Sequence, residues 1–175
     1  RLKTFKYRLY PTDNIKVLAS KIKISGTCYN HVLSIYRTYI KLFKKAPKAN
    51  LVKSHLVKQK KIIGYGYLSF IDAQSLQSIV EKIDSSYKTY FSHKRIGGRF
   101  FQPGFRKTCY YSSFVLKQHN WSYTPGENIF YIYGLPFKFY KSREILGNIK
   151  TVIVKKERNN ICICVVTDFV EKVPD

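Results

Sequence analysis

The amino-acid sequence predicts an α+β fold in which a block of helices interrupts a β-domain after its first strand. Residues 2–10 alternate between apolar and mostly basic side chains, as a strand with one buried face does, and Pro11 ends the run. Apolar residues then recur at three- and four-residue spacing between residues 13 and 92. Short β-rich runs follow residue 111. Because a separated first strand needs a partner, we expect it to pair with the later strands and close them toward a barrel.

The helical block is expected to contain four helical segments. A short helix begins after Thr12 and Asp13, which are good N-cap residues, and reaches a predicted break at Gly26. A second helix ends before Pro47. The pair, over residues 13–45, is interpreted as helix-turn-helix-like, although any two packed helices joined by glycine give the same pattern. A weaker segment includes Leu51, Val52 and Leu56, and the clearest helix spans about residues 70–92.

The β-rich part contains five predicted strands. They occupy residues 112–118, 129–133, 137–141, 149–156 and 161–169. Arg158, Asn159 and Asn160 predict a hairpin turn between the last two strands. Before them, residues 100–118 combine six Phe or Tyr with basic residues and no carboxylate. We interpret this stretch as the return from the helices to the barrel, with packing favoured over RNA stacking for Tyr110 and Tyr111.

Net charge makes nucleic acid the leading partner. The chain has 32 Lys and Arg against 10 Asp and Glu, for a net charge of +22. Such an excess repels itself in the compact state unless a polyanion relieves it. Twelve basic residues and no acid lie between Asp13 and Asp72, and seven with no acid lie between Asp84 and Glu127. The alternative is a solvated basic surface without a specific partner.

Composition argues against membrane binding and disulfide bonding. No run approaches the roughly 18 to 20 apolar residues of a spanning helix, so we expect a soluble protein. The four cysteines are scattered, which favours free thiols in a reducing, cytoplasmic compartment. The chain begins without methionine and shows no signal segment. We therefore expect it to be part of a longer protein.

No catalytic or metal site is assigned to these residues. Metal-dependent phosphodiester hydrolysis needs converging carboxylates, whereas the ten acids lie on separate predicted elements. His31, His55, His93 and His119 have no Cys or acid at ligand or triad spacing. Whether the protein is an enzyme stays open at this point, and no cofactor is expected in this chain.

Some polar side chains on the helices are suited to nucleic acid. Arg37 and Lys41 lie on the predicted exposed helix face and are expected to contact phosphates rather than bases. Gln74, Gln77 and Ser78 are uncharged hydrogen-bonding residues opposite an apolar stripe, and glutamine can read adenine edges in a duplex. The alternative is that these three are ordinary surface residues.

Six sequence motifs together resemble transposon-encoded TnpB proteins, also called OrfB-type transposases. They occur in the family's order and cover nearly the whole chain: KTFKYRLYPT at 3–12, YNHVL at 29–33, AQSLQSIVEKIDSSYKTYF at 73–91, PGFRK at 103–107, SSFVLKQ at 112–118 and KSREILGNIKTV at 141–152. In one departure, the segment before YN is shortened to GTC at 26–28 and lacks the arginine often present there.

The resemblance implies the amino-terminal half of an RNA-guided DNA endonuclease related to type V CRISPR effectors. Its expected fold is a wedge-like, oligonucleotide-binding-like β-barrel over residues 1–10 and 98–175, with a helical recognition insert over 11–97. Its expected partners are a guide RNA from the transposon end and a target DNA duplex in the prokaryotic nucleoid. The RuvC-like nuclease with its divalent metal, magnesium, and the zinc ribbon with its zinc are expected downstream of Asp175.

By the same resemblance, two sets of residues are expected to bind nucleic acid. The expected readers of a short transposon-adjacent DNA motif are Tyr36, Gln74, Gln77, Ser78, Lys117 and Gln118. The expected RNA and phosphate contacts are Lys6, Arg8, Arg37, Lys41, Lys44, Lys45, Lys82, Arg106, Lys107, Lys141 and Arg143.

Two other functions fit the composition. One is a freestanding sequence-specific DNA-binding protein, such as a repressor or transposition accessory factor, that uses the helix-turn-helix-like segment. The other is a structural RNA-binding protein of the ribosomal kind.

Overall fold

The computed structural model describes residues 2–98, 101–116 and 119–168. The chain divides into two compact units. The first, here called the β unit, comprises Arg1–Ile22 and Ser112–Asp175, and the second, the helical unit, comprises Lys23–Tyr111. These limits differ from the predicted 10/11 and 97/98 boundaries. The reason is packing: Leu18 and Ile22 belong to the β core, whereas Tyr111 belongs to the helical core.

In its described residues, the β unit contains seven strands in two antiparallel sheets. The strands are β1 (Leu2–Arg8), β2 (Ser113–Leu116), β3 (Trp121–Tyr123), β4 (Ile129–Ile132), β5 (Leu135–Lys138), β6 (Asn148–Glu157) and β7 (Asn160–Asp168). One sheet has the order β1-β7-β6-β2 and the other β3-β4-β5. The prediction that the first strand pairs with the later strands is confirmed, because β1 lies antiparallel to β7 from Leu2 opposite Asp168 to Arg8 opposite Cys162.

The two sheets meet at one bridge and do not close into a barrel within the described ranges. Leu9 pairs with Phe139 beyond the ends of β1 and β5. Backbone hydrogen bonds run from Tyr10 N to Lys138 O and from Tyr140 N to Arg8 O, at 2.8 and 2.9 Å. At the far edges, the short strands β2 and β3 share no ladder in the part of the chain that is described. The observed arrangement is therefore a pair of antiparallel sheets.

The β core follows from strict alternation along the strands. Phe5, Tyr7 and Leu9 are almost fully buried, while Lys6 and Arg8 between them are exposed. The inward residues of β6 and β7 complete the same cluster. The predicted hairpin is confirmed: Glu157 pairs with Asn160 across the two-residue turn Arg158–Asn159, where Arg158 has a φ of 54°.

The described part of the chain has three α-helices: α1 (Ile15–Phe43), α2 (Ala49–Gln59) and α3 (Ala73–Arg95). The predicted turn at Gly26 is wrong, and with it the helix-turn-helix, because α1 continues through this residue. A glycine inside a helix costs only about 1 kcal/mol relative to alanine, which packing on either side can offset. Gly26 is needed for close approach instead: a Cβ there would lie 2.7 Å from the Cβ of Tyr111.

The helical unit has its own aromatic-rich core. Asp72 caps α3 by accepting a hydrogen bond from Ser75 N at 3.1 Å. The stripe of α3 then packs on α1, where Tyr36 and Tyr87 are fully buried with parallel rings whose centroids are 5.6 Å apart. This core keeps the polar faces of α1 and α3 toward solvent.

Candidate nucleic-acid interface

A wide cationic cleft lies inside the helical unit, between the segment that links α1 to α2 and the second half of α3. It encloses about 1060 Å³. Its lining includes the apolar residues Pro47 and Phe91. Its basic side chains are Lys44, Lys45, Lys48, Lys88, Lys94 and Arg95.

Backbone geometry places two groups of basic residues along the cleft, one on the linker after α1 and one at the end of α3. α1 ends because Lys44 adopts a left-handed conformation, with a φ of 56°, while its N–H still bonds to Ile40 O at 2.8 Å. The buried Pro47 then fixes the linker before α2 begins. On the opposite side, Lys94 and Arg95 lie in the last turn of α3. Basic residues suit both positions, because helix C-termini carry partial negative charge.

Among the described residues lining the cleft, Asp84 is the one carboxylate. It is already engaged, since Lys88 Nζ lies 2.8 Å from one oxygen and the Tyr36 hydroxyl donates to the other at 3.4 Å. Burial, followed by the Asp84 charge, raises the pKa of Tyr36 well above its ordinary value, so this hydroxyl stays a donor. The cleft therefore keeps a positive excess suited to phosphate oxygens.

Sequence reasoning found part of this cleft. Lys44 and Lys45 line it as predicted phosphate contacts, and Lys41 is exposed on the preceding turn of α1. The cations contributed by α3 and by Lys48 were missed. Their signal in the sequence is the basic end of the clearest helix, SHKR at 92–95, which faces the linker only once α3 packs on α1.

Arg37, a predicted phosphate contact, also has a structural role. Its Nη2 donates to Pro103 O at 2.9 Å, and its guanidinium lies 4.5 Å from the centroid of Phe105. Its half-buried position commits the side chain to the segment that follows α3. This arginine is therefore less exposed than expected, and its phosphate contact stays a prediction.

Asn30 is a structural residue that the sequence did not reveal. Its amide donates to Arg106 O at 2.7 Å and accepts from Arg106 N at 2.9 Å. Tyr29 adds a hydrogen bond to Gly104 O at 3.4 Å. Side chains of the motif YNHVL thus bind the main chain of the motif PGFRK. The exposed Arg106 guanidinium also lies 5.5 Å from the Tyr29 ring centroid.

The other predicted cations of this unit differ in surroundings. Lys107 is exposed on the return segment. The Lys82 ammonium lies 5.9 Å from the Tyr111 ring centroid. Desolvation by the surrounding protein, and then the nearby Arg106 charge, lower the pKa of Lys82 from its ordinary value. Burial raises the pKa of Tyr111 to about 12.

The residues expected to read a DNA motif are only partly on the surface. Tyr36 is fully buried, so its predicted contact with DNA is wrong. Gln77 is exposed on α3, while Gln74 is half-buried with an Oε1 that has no hydrogen-bond partner in the described residues. Ser78 Oγ donates to Gln74 O at 3.0 Å. Lys117 and Gln118 lie outside the residues that the structure describes.

The predicted cations of the β unit are held by carboxylates or rings. Lys6 Nζ lies 3.0 Å from Glu157, and Lys141 Nζ lies 2.7 Å from Glu144. The Arg143 guanidinium lies 5.2 Å from the Phe5 ring centroid. Arg8 lies 4.6 Å from the ring centroid of Tyr140, a residue that sequence reasoning did not single out.

The described ranges contain no group of three or more His, Cys, Asp or Glu side chains that could hold a metal ion. The magnesium and zinc implied by the resemblance to TnpB thus remain predictions about other residues. None of the helices in the described part of the chain combines the length and apolarity needed to cross a bilayer. Comparison with known proteins gave no matching family model and no matching curated protein.

Proposed function

We propose that this chain is the nucleic-acid-binding part of a TnpB-type RNA-guided DNA endonuclease. In this role it binds the scaffold of a guide RNA and the guide–target heteroduplex, and it reads a short duplex motif beside the target. The observation that carries the proposal is the cleft of the helical unit, where six cations surround one carboxylate that is already paired. A guided nuclease leaves sequence reading to base pairing, so its protein needs many phosphate contacts and few base contacts.

The exposure of Gln77 supports its proposed role as a reader of the duplex motif. Gln77 lies on the solvent side of α3 and can form the paired hydrogen bonds that glutamine makes with adenine. The β unit supports a wedge-like domain through the order β3-β4-β5, the Leu9–Phe139 bridge, and β1-β7-β6-β2. A barrel of that kind would need a further contact between β2 and β3.

Of the two alternative functions, the freestanding DNA-binding protein loses support and the structural RNA-binding protein is supported by the same cleft. A freestanding helix-turn-helix protein would need a turn inside residues 13–45, where α1 is continuous. A structural RNA-binding protein would use the same cleft equally well. The nature of the bound nucleic acid therefore separates the functions.

The test measures the affinity of the purified chain for three ligands at fixed salt. They are RNA transcribed from the DNA flanking the gene, an unrelated structured RNA of equal length, and duplexes selected from a randomised pool. We expect the flanking RNA to bind most tightly and to outcompete the unrelated RNA. Equal affinity for both RNAs would favour the structural RNA-binding protein. Preference for one duplex without RNA would favour the freestanding DNA-binding protein.

A further inference from the structure

Four side chains form a layered stack on the surface of the β unit, apart from the cleft. The Tyr10 and Tyr140 rings are nearly parallel, with centroids 3.9 Å apart and an interplanar angle of 11°. Lys138 Nζ lies 5.4 Å from the Tyr10 centroid, and Arg8 Cζ lies 4.6 Å from the Tyr140 centroid. The sequence of layers is therefore cation, ring, ring, cation. Both distances from cation to ring are within the range of cation–π attraction.

The backbone sets this stack in place without using it as core. Tyr10 N donates to Lys138 O and Tyr140 N donates to Arg8 O, so the two segments run in antiparallel register. On the inward side of the same register, Leu9 and Phe139 are 2% and 1% exposed and supply the core contact. Tyr140 is 39% exposed. Because Tyr10 and Arg8 cover its two faces, Tyr140 supports the Arg8 guanidinium, which is the end layer of the stack, at a position that the fold already fixes.

A groove of about 370 Å³ adjoins the stack. Arg8 and Tyr140 line it together with Lys6, Tyr7, Ser142, Glu157, Asn160 and Cys162. The Glu157 carboxylate is neutralised by two ammonium groups, Lys6 at 3.0 Å and Lys155 at 2.9 Å. The groove thus offers stacking layers, amide and hydroxyl groups, and a cation beside them.

We propose that the Arg8–Tyr140 pair and this groove bind an unpaired base of single-stranded nucleic acid. The base stacks on the face of the Arg8 guanidinium that is turned away from Tyr140, its edge faces Asn160 and Ser142, and its phosphate lies toward Lys6. This inference deepens the proposed function and rests on it. Tyrosine rings and arginine planes are the surfaces on which proteins stack unpaired bases. Bases inside a duplex have both faces covered, so the site discriminates single strands from duplexes.

The test compares the 175-residue chain with its Tyr140→Leu variant by fluorescence anisotropy. The ligands are twelve-nucleotide oligo-U RNA, oligo-T DNA, an abasic strand of the same length and a matched duplex. We expect Tyr140→Leu to lose about 5- to 150-fold in affinity for one or both single strands. We expect the duplex and the abasic strand to bind both proteins alike. The slope of affinity against salt stays unchanged, because no charge is removed. The measurements with oligo-U RNA and oligo-T DNA then show whether the site binds single-stranded RNA, single-stranded DNA or both.

Two further variants test whether the effect depends on an aromatic ring at position 140. Tyr140→Phe retains the ring and restores binding. Tyr131→Leu removes a tyrosine of similar exposure, 40%, elsewhere in the β unit and leaves single-strand affinity at the wild-type value. Thermal unfolding of every variant shows whether the fold is kept.

Each outcome decides between the two proposals. Equal single-strand affinity of wild type and Tyr140→Leu would overturn the stacking site and leave the proposed function standing. Loss of binding to all four ligands together, with a lower unfolding temperature, would assign Tyr140 a structural role and also overturn the site. A wild-type chain that binds no nucleic acid at all would overturn both.

Discussion

The helical unit and the β unit carry their positive charge in different ways. The helical unit has 17 Lys and Arg and only three acids, whereas the β unit has 15 and seven. All three acids of the helical unit are engaged: Asp72 caps α3, Glu81 pairs with Lys53 and Asp84 pairs with Lys88. The helical unit therefore keeps a large cationic excess around an open cleft.

In the β unit, cations are held by carboxylates and aromatic rings. Glu157 alone binds Lys6 and Lys155, and Lys150 pairs with Asp168 at 2.8 Å. Arg8 and Lys138 lie on tyrosine rings. The comparison indicates that the positive charge of one chain can serve two kinds of recognition. An unpaired excess favours salt-dependent contact with phosphates, whereas ring-bound cations favour stacking, which salt affects little.

The largest expected effect separates core from surface within the helical unit. Tyr36→Ala removes a fully buried ring from beside Tyr87 and should lower the free energy of unfolding by about 3 to 5 kcal/mol. Urea denaturation measures this change in the free energy of unfolding. Tyr110→Ala is the matched control, because Tyr110 is 76% exposed and its loss should change stability by no more than about 0.5 kcal/mol. Tyr36→Phe should leave DNA preference unchanged, and a changed preference would revive Tyr36 as a reader.

The second prediction tests whether the cleft is where phosphates bind. Replacing Lys44, Lys45 and Lys48 by Gln should lower the slope of log affinity against log salt by about two to three. Affinity at 0.1 M salt should fall on the order of 10²-fold. Replacing the exposed Lys23, Lys58 and Lys61 instead removes equal charge from the same unit outside the cleft. Equal losses of affinity for the two triple variants would mean that only the total charge of the helical unit matters, and not the position of that charge in the cleft.

The sequence predicted the strands better than the sites, for a physical reason. Alternation along residues 2–10 reports one buried face directly, so both β1 and its need for a partner could be inferred. The three-residue strand β3 was missed because it is too short to show alternation. Site residues depend on which helix faces meet. Lys94 and Arg95 reach Lys44 only through the packing of α3 on α1, and no local pattern encodes that meeting.

The same reasoning explains the errors at Gly26 and Tyr36 and the unexpected contacts of Arg37. A glycine between two apolar runs suggests a turn, but its role in α1 is to make room for Tyr111. Tyrosine and arginine are amphipathic, so sequence alone does not tell which end is used. Tyr36 uses its ring in the core, and Arg37 uses its guanidinium on Pro103 O. In all three cases, contacts with residues distant in the sequence determine the role of the residue.

The third prediction asks whether the helical unit also reads bases. Gln77→Ala should cost about 1 to 3 kcal/mol on the matching duplex and little on scrambled DNA. Competition binding with the two duplexes measures the difference. Gln59→Ala is a control, because this glutamine lies at the end of α2, where its Oε1 is 2.8 Å from His31 Nε2. Equal losses on both duplexes would reject base reading by Gln77.

The fourth prediction tests the close approach at Gly26. Alanine in a helix interior is normally favoured over glycine by about 1 kcal/mol. Here the added Cβ would meet Tyr111, and overpacking costs about 1 to 3 kcal/mol. We expect Gly26→Ala to destabilise the protein slightly on urea denaturation. In a Tyr111→Gly background, which lacks the clashing Cβ, the same change should become stabilising. A destabilisation of equal size in both backgrounds would contradict the proposed contact.

The smallest expected effect concerns the paired charges of the β unit. Hydrogen bonds from Lys155 and then Lys6 hold the pKa of Glu157 below its ordinary value. Because the folded-state pKa is lowered, the carboxylate stabilises the fold above the pKa that Glu157 has in the unfolded chain. That stabilisation disappears as pH falls through the folded-state pKa. Carboxyl chemical shifts followed by NMR should show a lowered pKa for Glu157, which returns toward the ordinary value when Lys6 and Lys155 are both replaced by Gln. An unshifted Glu157 in the wild type would show that solvent screens these pairs and would weaken the contrast between the two units.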